Sequence, residues 1–144
     1  MIGLDTNVLV RYLVHDDEAQ YTWAVRAMGE LTPEEPGFIS LVTLVETMWV
    51  LQRTYGVSRL ETLAAVETLV ANESIQFQDE IDVEDALALA RSAGCDVADA
   101  LVAVLGSGCT HTWTFDRKAA RLPGMRLLGT PPATEPDAGD GDDA

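Results

Sequence analysis

The brevity of its strand-like runs, and the helical stretches between them, most constrain what this chain can fold into. Met1-Ile2-Gly3-Leu4, Phe38-Ile39, Ile75-Gln76-Phe77, His111 to Phe115 and Met125 to Leu128 read as strands. Each is short, and each is separated from the next by segments with helical periodicity. Short strands alternating with helices specify an α/β fold, with a short, mainly parallel sheet flanked by helices on both faces. In an open sheet of this kind, ligands bind at the carboxyl ends of the strands. Those ends are where functional side chains are expected.

Caps and stops delimit the helices. A short helix runs from about Asn7 to Val14, and Asp16 or Asp17 caps a second from about Ala19 to Leu31. Ser40 caps a helix reaching about Tyr55 and ended by Gly56. Its residues Leu41, Leu44, Val45, Met48, Trp49 and Leu51 form a stripe expected to face the core. Ser58 caps the next helix, through about Val70, with Leu60, Leu63, Ala64, Val66 and Leu69 apolar. Asp82, with Asp85, is read as starting a helix through Ala93, stopped by Gly94, and Asp96 as capping a helix from Val97 to about Leu105. A short helix spans Lys118 to Leu122. Trp23, Trp49 and Trp113 lie in apolar settings and are expected in the core.

A length of 144 residues with 47% apolar content fits one domain with a substantial core. No apolar run approaches the roughly 20 residues that span a bilayer, and no secretory leader is visible at the N-terminus. Cys95 and Cys109 show no disulfide or CxxC spacing, which fits a reduced, cytoplasmic setting. Net charge is −15, and residues 130–144 contribute five carboxylates with no Lys or Arg, so residues 1–129 carry −15 + 5 = −10. Residues 1–129 are expected to form the folded domain, and 130–144 a disordered acidic tail. So negative a chain is poorly suited to nonspecific nucleic-acid binding, where Lys and Arg contacts to phosphate supply most of the affinity.

Four acids occupy awkward positions. Asp5 follows the first strand directly, and Asp116 follows THTWTF, so both fall at strand ends where a site belongs. Glu46 interrupts LVTLVETMWVLQ, and Asp99 interrupts VADALVAVL. An ionised carboxylate in apolar surroundings is costly unless it is paired or binds a cation, and no basic residue stands beside these acids in their helices. Each has a plain alternative: Asp5 and Asp96 as helix N-caps, Asp116 as the cap of the RKAARL turn. Together they point to a shared site for Mg²⁺ or Mn²⁺, which prefer hard oxygen ligands.

Other chemistries lack their residues. There is no GxxxxGK[ST], GxGxxG or GxSxG motif. His15 and His111 are too few and too far apart for a zinc site. A phosphatase with an aspartyl nucleophile needs a second Asp two positions after the first, and that position is Asn7.

GLDTNVLVRYLVHDD, SLVTLVETMWVL, DVADALVA and TFDRKAARLPG, in that order, resemble the motifs of PIN-domain proteins, most closely the VapC-type toxins of toxin–antitoxin systems. The resemblance covers about residues 1–130. It implies a PIN-like three-layer fold, metal-dependent endoribonuclease activity, a homodimer and a small antitoxin that inhibits the toxin. By position, the family's catalytic and metal-binding acids fall on Asp5, Glu46, Asp99 and Asp116. Thr6, Asn7, Asp96 and Thr114 fall where supporting polar groups would orient them.

The chemistry implied is phosphodiester hydrolysis through a divalent cation held by Asp5, Asp99 and Asp116, with Glu46 completing the coordination or acting as general base. Arg11, Arg117, Lys118 and Arg121 offer a local basic rim for RNA, although Arg11 can instead pair with Asp16 or Asp17. So few basic residues favour an RNA recognised by shape, such as a structured loop. The region around Trp23, Val25 and Met28 is a candidate antitoxin surface. The competing reading is a catalytically weak PIN-fold partner-binding or scaffold module.

Overall fold

The structure is a computed structural model, and it describes residues 1–129. The acidic segment 130–144 lies outside the described residues. In chain order the elements are β1 (Ile2–Gly3), α1 (Thr6–Leu13), α2 (Glu18–Glu30), β2 (Gly37–Ile39), α3 (Leu41–Arg53), α4 (Arg59–Val70), β3 (Ile75–Phe77), α5 (Glu80–Ala93), α6 (Val97–Leu105), β4 (Thr112–Thr114) and β5 (Met125–Leu127), with a 3₁₀ turn at Ala119–Arg121 before β5. All strand pairing among the described residues is parallel, as the sequence implies, but it divides between two sheets. One has the order β1-β2-β3; the other is β4 beside β5. Gly37 pairs with Ile2 on one side and Ile75 on the other, and Thr112 pairs with Met125.

Local chemistry explains most boundaries. The hydroxyl of Ser40 accepts the N–H of Thr43, and Asp17 accepts that of Gln20. Ser58 and Glu61 form a reciprocal capping box at α4. The start of α5 differs from the sequence reading: the helix begins at Glu80, not Asp82, so Asp82 and Asp85 lie within it. Asp79 precedes it at φ 49, a left-handed conformation that Asp tolerates, and it makes no side-chain cap. A helix entered this way has no capping signature to read.

The core gathers Leu9, Ile39, Leu44, Leu63, Val66, Val83, Ala86 and Ala100 between the three-stranded sheet and the helices. Gly37 sits at its centre. A Cβ there would lie 2.8 Å from both Leu4 Cδ1 and Leu31 Cδ1, so glycine lets those side chains close over β2 where a larger residue would push them aside.

Three expectations about burial are corrected. The core-facing stripe of α3 is Leu44, Thr47, Met48 and Leu51; Val45 and Trp49 are exposed. Thr47 joins the stripe because its hydroxyl donates to the carbonyl of Thr43 at 2.7 Å, which satisfies it internally. On α4, Leu60 and Ala64 are exposed while Thr62 is buried. The tryptophans are not core residues: Trp23, Trp49 and Trp113 are 67, 59 and 65% exposed. Apolar residues on more than one side of an element cannot all face one core, and the sequence alone did not say which stripe would win. Among the described residues, no helix is long and apolar enough to cross a membrane.

Candidate active site

Asp5 stands where β1 hands over to α1. Its extended backbone (φ −87, ψ 159) lets its carbonyl accept the N–H groups of Val8 and Leu9, starting the helix. Among the described residues its carboxylate accepts only the adjacent N–H of Thr6, at 2.8 Å. An N-cap side chain ordinarily reaches the second or third helical residue, so the Asp5 carboxylate is only partly engaged and stays exposed. Thr6 beside it is buried, and Asn7 lines a groove between α1 and α2 with Val8, Arg11, Gln20 and Trp23.

Asp96 and Asp99 come from the start of α6, three residues apart and therefore on one face of the helix. Asp96 occupies the N-cap position but makes no side-chain capping bond, so its carboxylate is not used in the way the sequence suggested. Both line a pocket of about 210 Å³ with Val45, Met48, Trp49, Gln52 and Arg53 of α3. Burial raises the Asp99 carboxyl above its ordinary pKa, and the negative charges of Asp96 and Asp116 raise it further. Asp116, though far along the chain, thus lies in the same electrostatic field.

Gly106 explains how β4 comes so near. It ends α6, and a Cβ there would lie 2.6 Å from Thr112 Oγ1 and 3.0 Å from the Val102 carbonyl. The strand that follows runs to Thr114, and Asp116 lies just past it. One carboxylate oxygen of Asp116 accepts the N–H groups of Lys118 (2.8 Å) and Ala119 (3.1 Å), while its own N–H donates to Thr114 Oγ1 at 3.0 Å. Asp116 therefore does cap the following turn, but with a single oxygen.

Glu46 is placed differently. It is exposed on α3, beside a shallow apolar depression formed by Leu41, Val42, Val45, Trp49 and Val50. The desolvation expected from its apolar sequence context is absent, because α3 turns a second apolar stripe outward. Among the described residues, no three His, Cys, Asp or Glu side chains are gathered closely enough to hold an ion. The fold brings Asp96, Asp99 and Asp116 within mutual influence and sets Asp5 at the end of β1.

Matches to the PIN domain profile extend over residues 2–125. The chain belongs to the PIN-domain family. No curated protein compared with it matches. PIN domains are generally nucleases, and members typically use divalent metals and bind RNA. The short parallel sheet flanked by helices agrees with that fold.

In donor chemistry, though not as a preassembled group among the described residues, the acids of this PIN domain suit such a metal. The acids offer only hard oxygen ligands, Asp99 is raised by its acidic neighbours, and none of Asp5, Glu46, Asp96, Asp99 or Asp116 is in an ion pair among the described residues. Burial first, then the charges of Asp99 and Asp96, push the Cys95 thiol up, which disfavours its thiolate.

The basic residues divide sharply. Arg11 is engaged within the fold, donating to Asp16 (2.9 Å), to the Tyr55 hydroxyl (3.1 Å) and to Gln20. Arg117, Lys118 and Arg121 are exposed beside Asp116. Sequence reasoning passed over Arg126, on β5, which belongs to the same stretch. The signal was available: Arg117, Lys118, Arg121 and Arg126 are four of the chain's nine basic residues, and residues 117–129 contain no acid.

Proposed function

We propose that this PIN domain is a metal-dependent endoribonuclease acting as the toxin of a toxin–antitoxin pair, inhibited by a cognate antitoxin and working as a homodimer. The observation that carries the nuclease reading is the approach of Asp96 and Asp116 to the partly buried Asp99, close enough that their charges act on its carboxyl. The toxin reading rests on the motif resemblance.

Asp5, Asp99 and Asp116 are the residues that would hold Mg²⁺ or Mn²⁺. When bound, the cation supplies Lewis-acid charge at the scissile phosphate and acidifies a water. The chain's own groups do the remainder. Glu46, exposed and without an ion-pair partner among the described residues, accepts the proton of the attacking water or completes the coordination. Thr114 fixes the turn that aims Asp116, and Asp96 adds negative charge behind Asp99. Arg117, Lys118 and Arg121 offset the phosphate charge of an incoming strand in a protein that is otherwise strongly acidic.

One observation favours a second reading, a partner-binding module with weak turnover: among the described residues no three acids form a preassembled group. Inducible expression of the wild type and Asp99→Asn, with transcriptome-wide mapping of new RNA ends, tests the choice. Growth arrest with a few defined cuts, absent in Asp99→Asn, supports the nuclease. Arrest that survives Asp99→Asn supports the module.

A further inference from the structure

Alternation along β4 turns Trp113 away from the side that holds Thr112 and Thr114, and Phe115 follows at the bend just past the strand. Both rings are strongly exposed, at 65 and 79%. Single exposed apolar residues are ordinary, but two strongly exposed aromatic rings two residues apart are not. In the parallel pairing of β4 and β5, Trp113 lies opposite Arg126, which is also exposed. The N–H of Leu128 donates to the Thr114 carbonyl at 2.7 Å, and Gly129 lies against Phe115, so β5 supports the face to its end. His111, tilted against Trp113 with centroids 5.8 Å apart, extends it in the other direction.

Charge selects the occupant. Residues 117–129 carry four basic residues and no acid, within a chain of net charge −15. The most cationic segment of the molecule thus directly follows its exposed aromatic strand, and Asp116 joins the two. Flat rings beside guanidinium groups suit unpaired nucleobases, which stack on aromatic faces while cations track the phosphates. A protein partner would be expected to meet the aliphatic stripe of α3 rather than rings rimmed by arginine.

We propose that Trp113 and Phe115 form a stacking platform for unpaired bases of the RNA substrate, with Arg126 and Arg117 contacting the flanking phosphates. Two residues of extended chain span up to about 6.7 Å, room for each ring to take its own base. The strand is then delivered to Asp116, one residue beyond Phe115. This deepens the nuclease reading and rests on it for the identity of the substrate. It also explains how an acidic protein can engage RNA: stacking supplies affinity that the sparse cations cannot, and it selects loops over duplexes, whose bases are already stacked.

The test measures fluorescence anisotropy of a labelled, unstructured 12-nucleotide RNA with the full chain in the Asp99→Asn background, so that no cleavage intervenes. Trp113→Ala and Phe115→Ala should each weaken binding about tenfold. Trp113→Phe should retain most of the affinity, and a duplex RNA should bind weakly to every variant alike. Equal affinity across the variants overturns the platform, as does equal binding of duplex and unpaired RNA. A wild-type dimer that Trp113→Ala converts to monomers, with RNA affinity per chain unchanged, also overturns it and assigns the face to a second copy. Cleavage by the otherwise unmodified chain is assayed separately. Binding that depends on Trp113 without cleavage leaves the platform standing and removes the nuclease; cleavage with no dependence on Trp113 does the reverse.

Discussion

The hydroxyl of Thr114 accepts the backbone N–H of Asp116 at 3.0 Å, closing a small ring just past β4. Asp116 in turn accepts two N–H groups of the following 3₁₀ turn through one carboxylate oxygen, which leaves the other oxygen free of protein donors among the described residues. The turn is thereby locked on both sides of Asp116, and the free oxygen is aimed by backbone geometry rather than by side-chain packing. β4 needs a residue with a short hydroxyl at position 114 for this purpose, and its β-branch suits the strand as well.

Thr114→Val keeps the shape and the strand propensity but removes the acceptor. Its expected effect is a loss of ribonuclease activity of about 10- to 100-fold, the usual consequence of removing a group that orients a metal ligand. Thr114→Ser should retain most activity. Circular dichroism and a thermal melt would check that both variants fold. Full activity in Thr114→Val would show that the Asp116 carboxylate needs no such aim.

Asp99 gives a prediction about pH and metal together. Its carboxyl is raised by burial first, then by Asp96 and Asp116, so the folded protein binds this proton more tightly than the unfolded chain does. The associated stability is present below the ordinary carboxylate pKa and is lost as pH rises through the raised value. At neutral pH the ionised Asp99 therefore opposes folding. Asp99→Asn should raise the melting temperature in EDTA, and the wild-type melting temperature should rise on addition of Mn²⁺ while that of Asp99→Asn rises less. Differential scanning fluorimetry between about pH 5 and pH 8 reads both effects. A lower melting temperature for Asp99→Asn in EDTA would sink the argument.

Much of this was legible in the sequence because local chemistry wrote it there. Ser40, Ser58 and Gly94 mark helix ends that the structure reproduces, and the alternation of short strands with helices led to parallel pairing. Asp5 and Asp116 stand out in the sequence because strand ends are where open sheets bind ligands, and the structure sets both just past strands. What failed required knowledge of which surface meets which. Trp49 and Val45 share a helix with Leu44 and Met48, and both sets follow helical spacing, so periodicity could not decide which would be buried. Trp113 was assigned to the core because apolar strands in α/β folds usually are. The two-stranded sheet of β4 and β5 instead leaves one face open. The role of Asp96 was obscured for another reason: an Asp before a helix looks the same whether or not its side chain caps.

Thr62 offers a stability prediction independent of function. It lies on α4 at 1% exposure, and its hydroxyl has no hydrogen-bond partner among the described residues. A buried hydroxyl without a partner costs free energy, and Val replaces it with a group of nearly the same shape. Thr62→Val should stabilise the protein by about 1 kcal/mol, read as a higher urea midpoint with an unchanged m-value. A lower midpoint would mean that the hydroxyl finds a partner in solution.

Arg11, Asp16 and Tyr55 connect the end of α1, the turn before α2 and the segment after α3. The Tyr55 hydroxyl donates to Asp16 at 2.8 Å and Arg11 donates to the other carboxylate oxygen at 2.9 Å. The Tyr55 hydroxyl, and then Arg11, hold the Asp16 carboxyl below its ordinary pKa, although burial opposes them. A depressed acid contributes stability that is present above its unfolded pKa and is lost as pH falls through the folded one. Tyr55→Phe should therefore lower the melting temperature slightly at neutral pH, and its gap from the wild type should close toward about pH 3. The group is solvent-exposed, so added salt should narrow the gap as well. Arg11→Gln, which removes the charge and keeps much of the side chain, tests whether this arginine serves the fold or the RNA. A drop in melting temperature with unchanged RNA affinity assigns it to the fold, whereas weaker RNA binding at an unchanged melting temperature would return Arg11 to the basic rim.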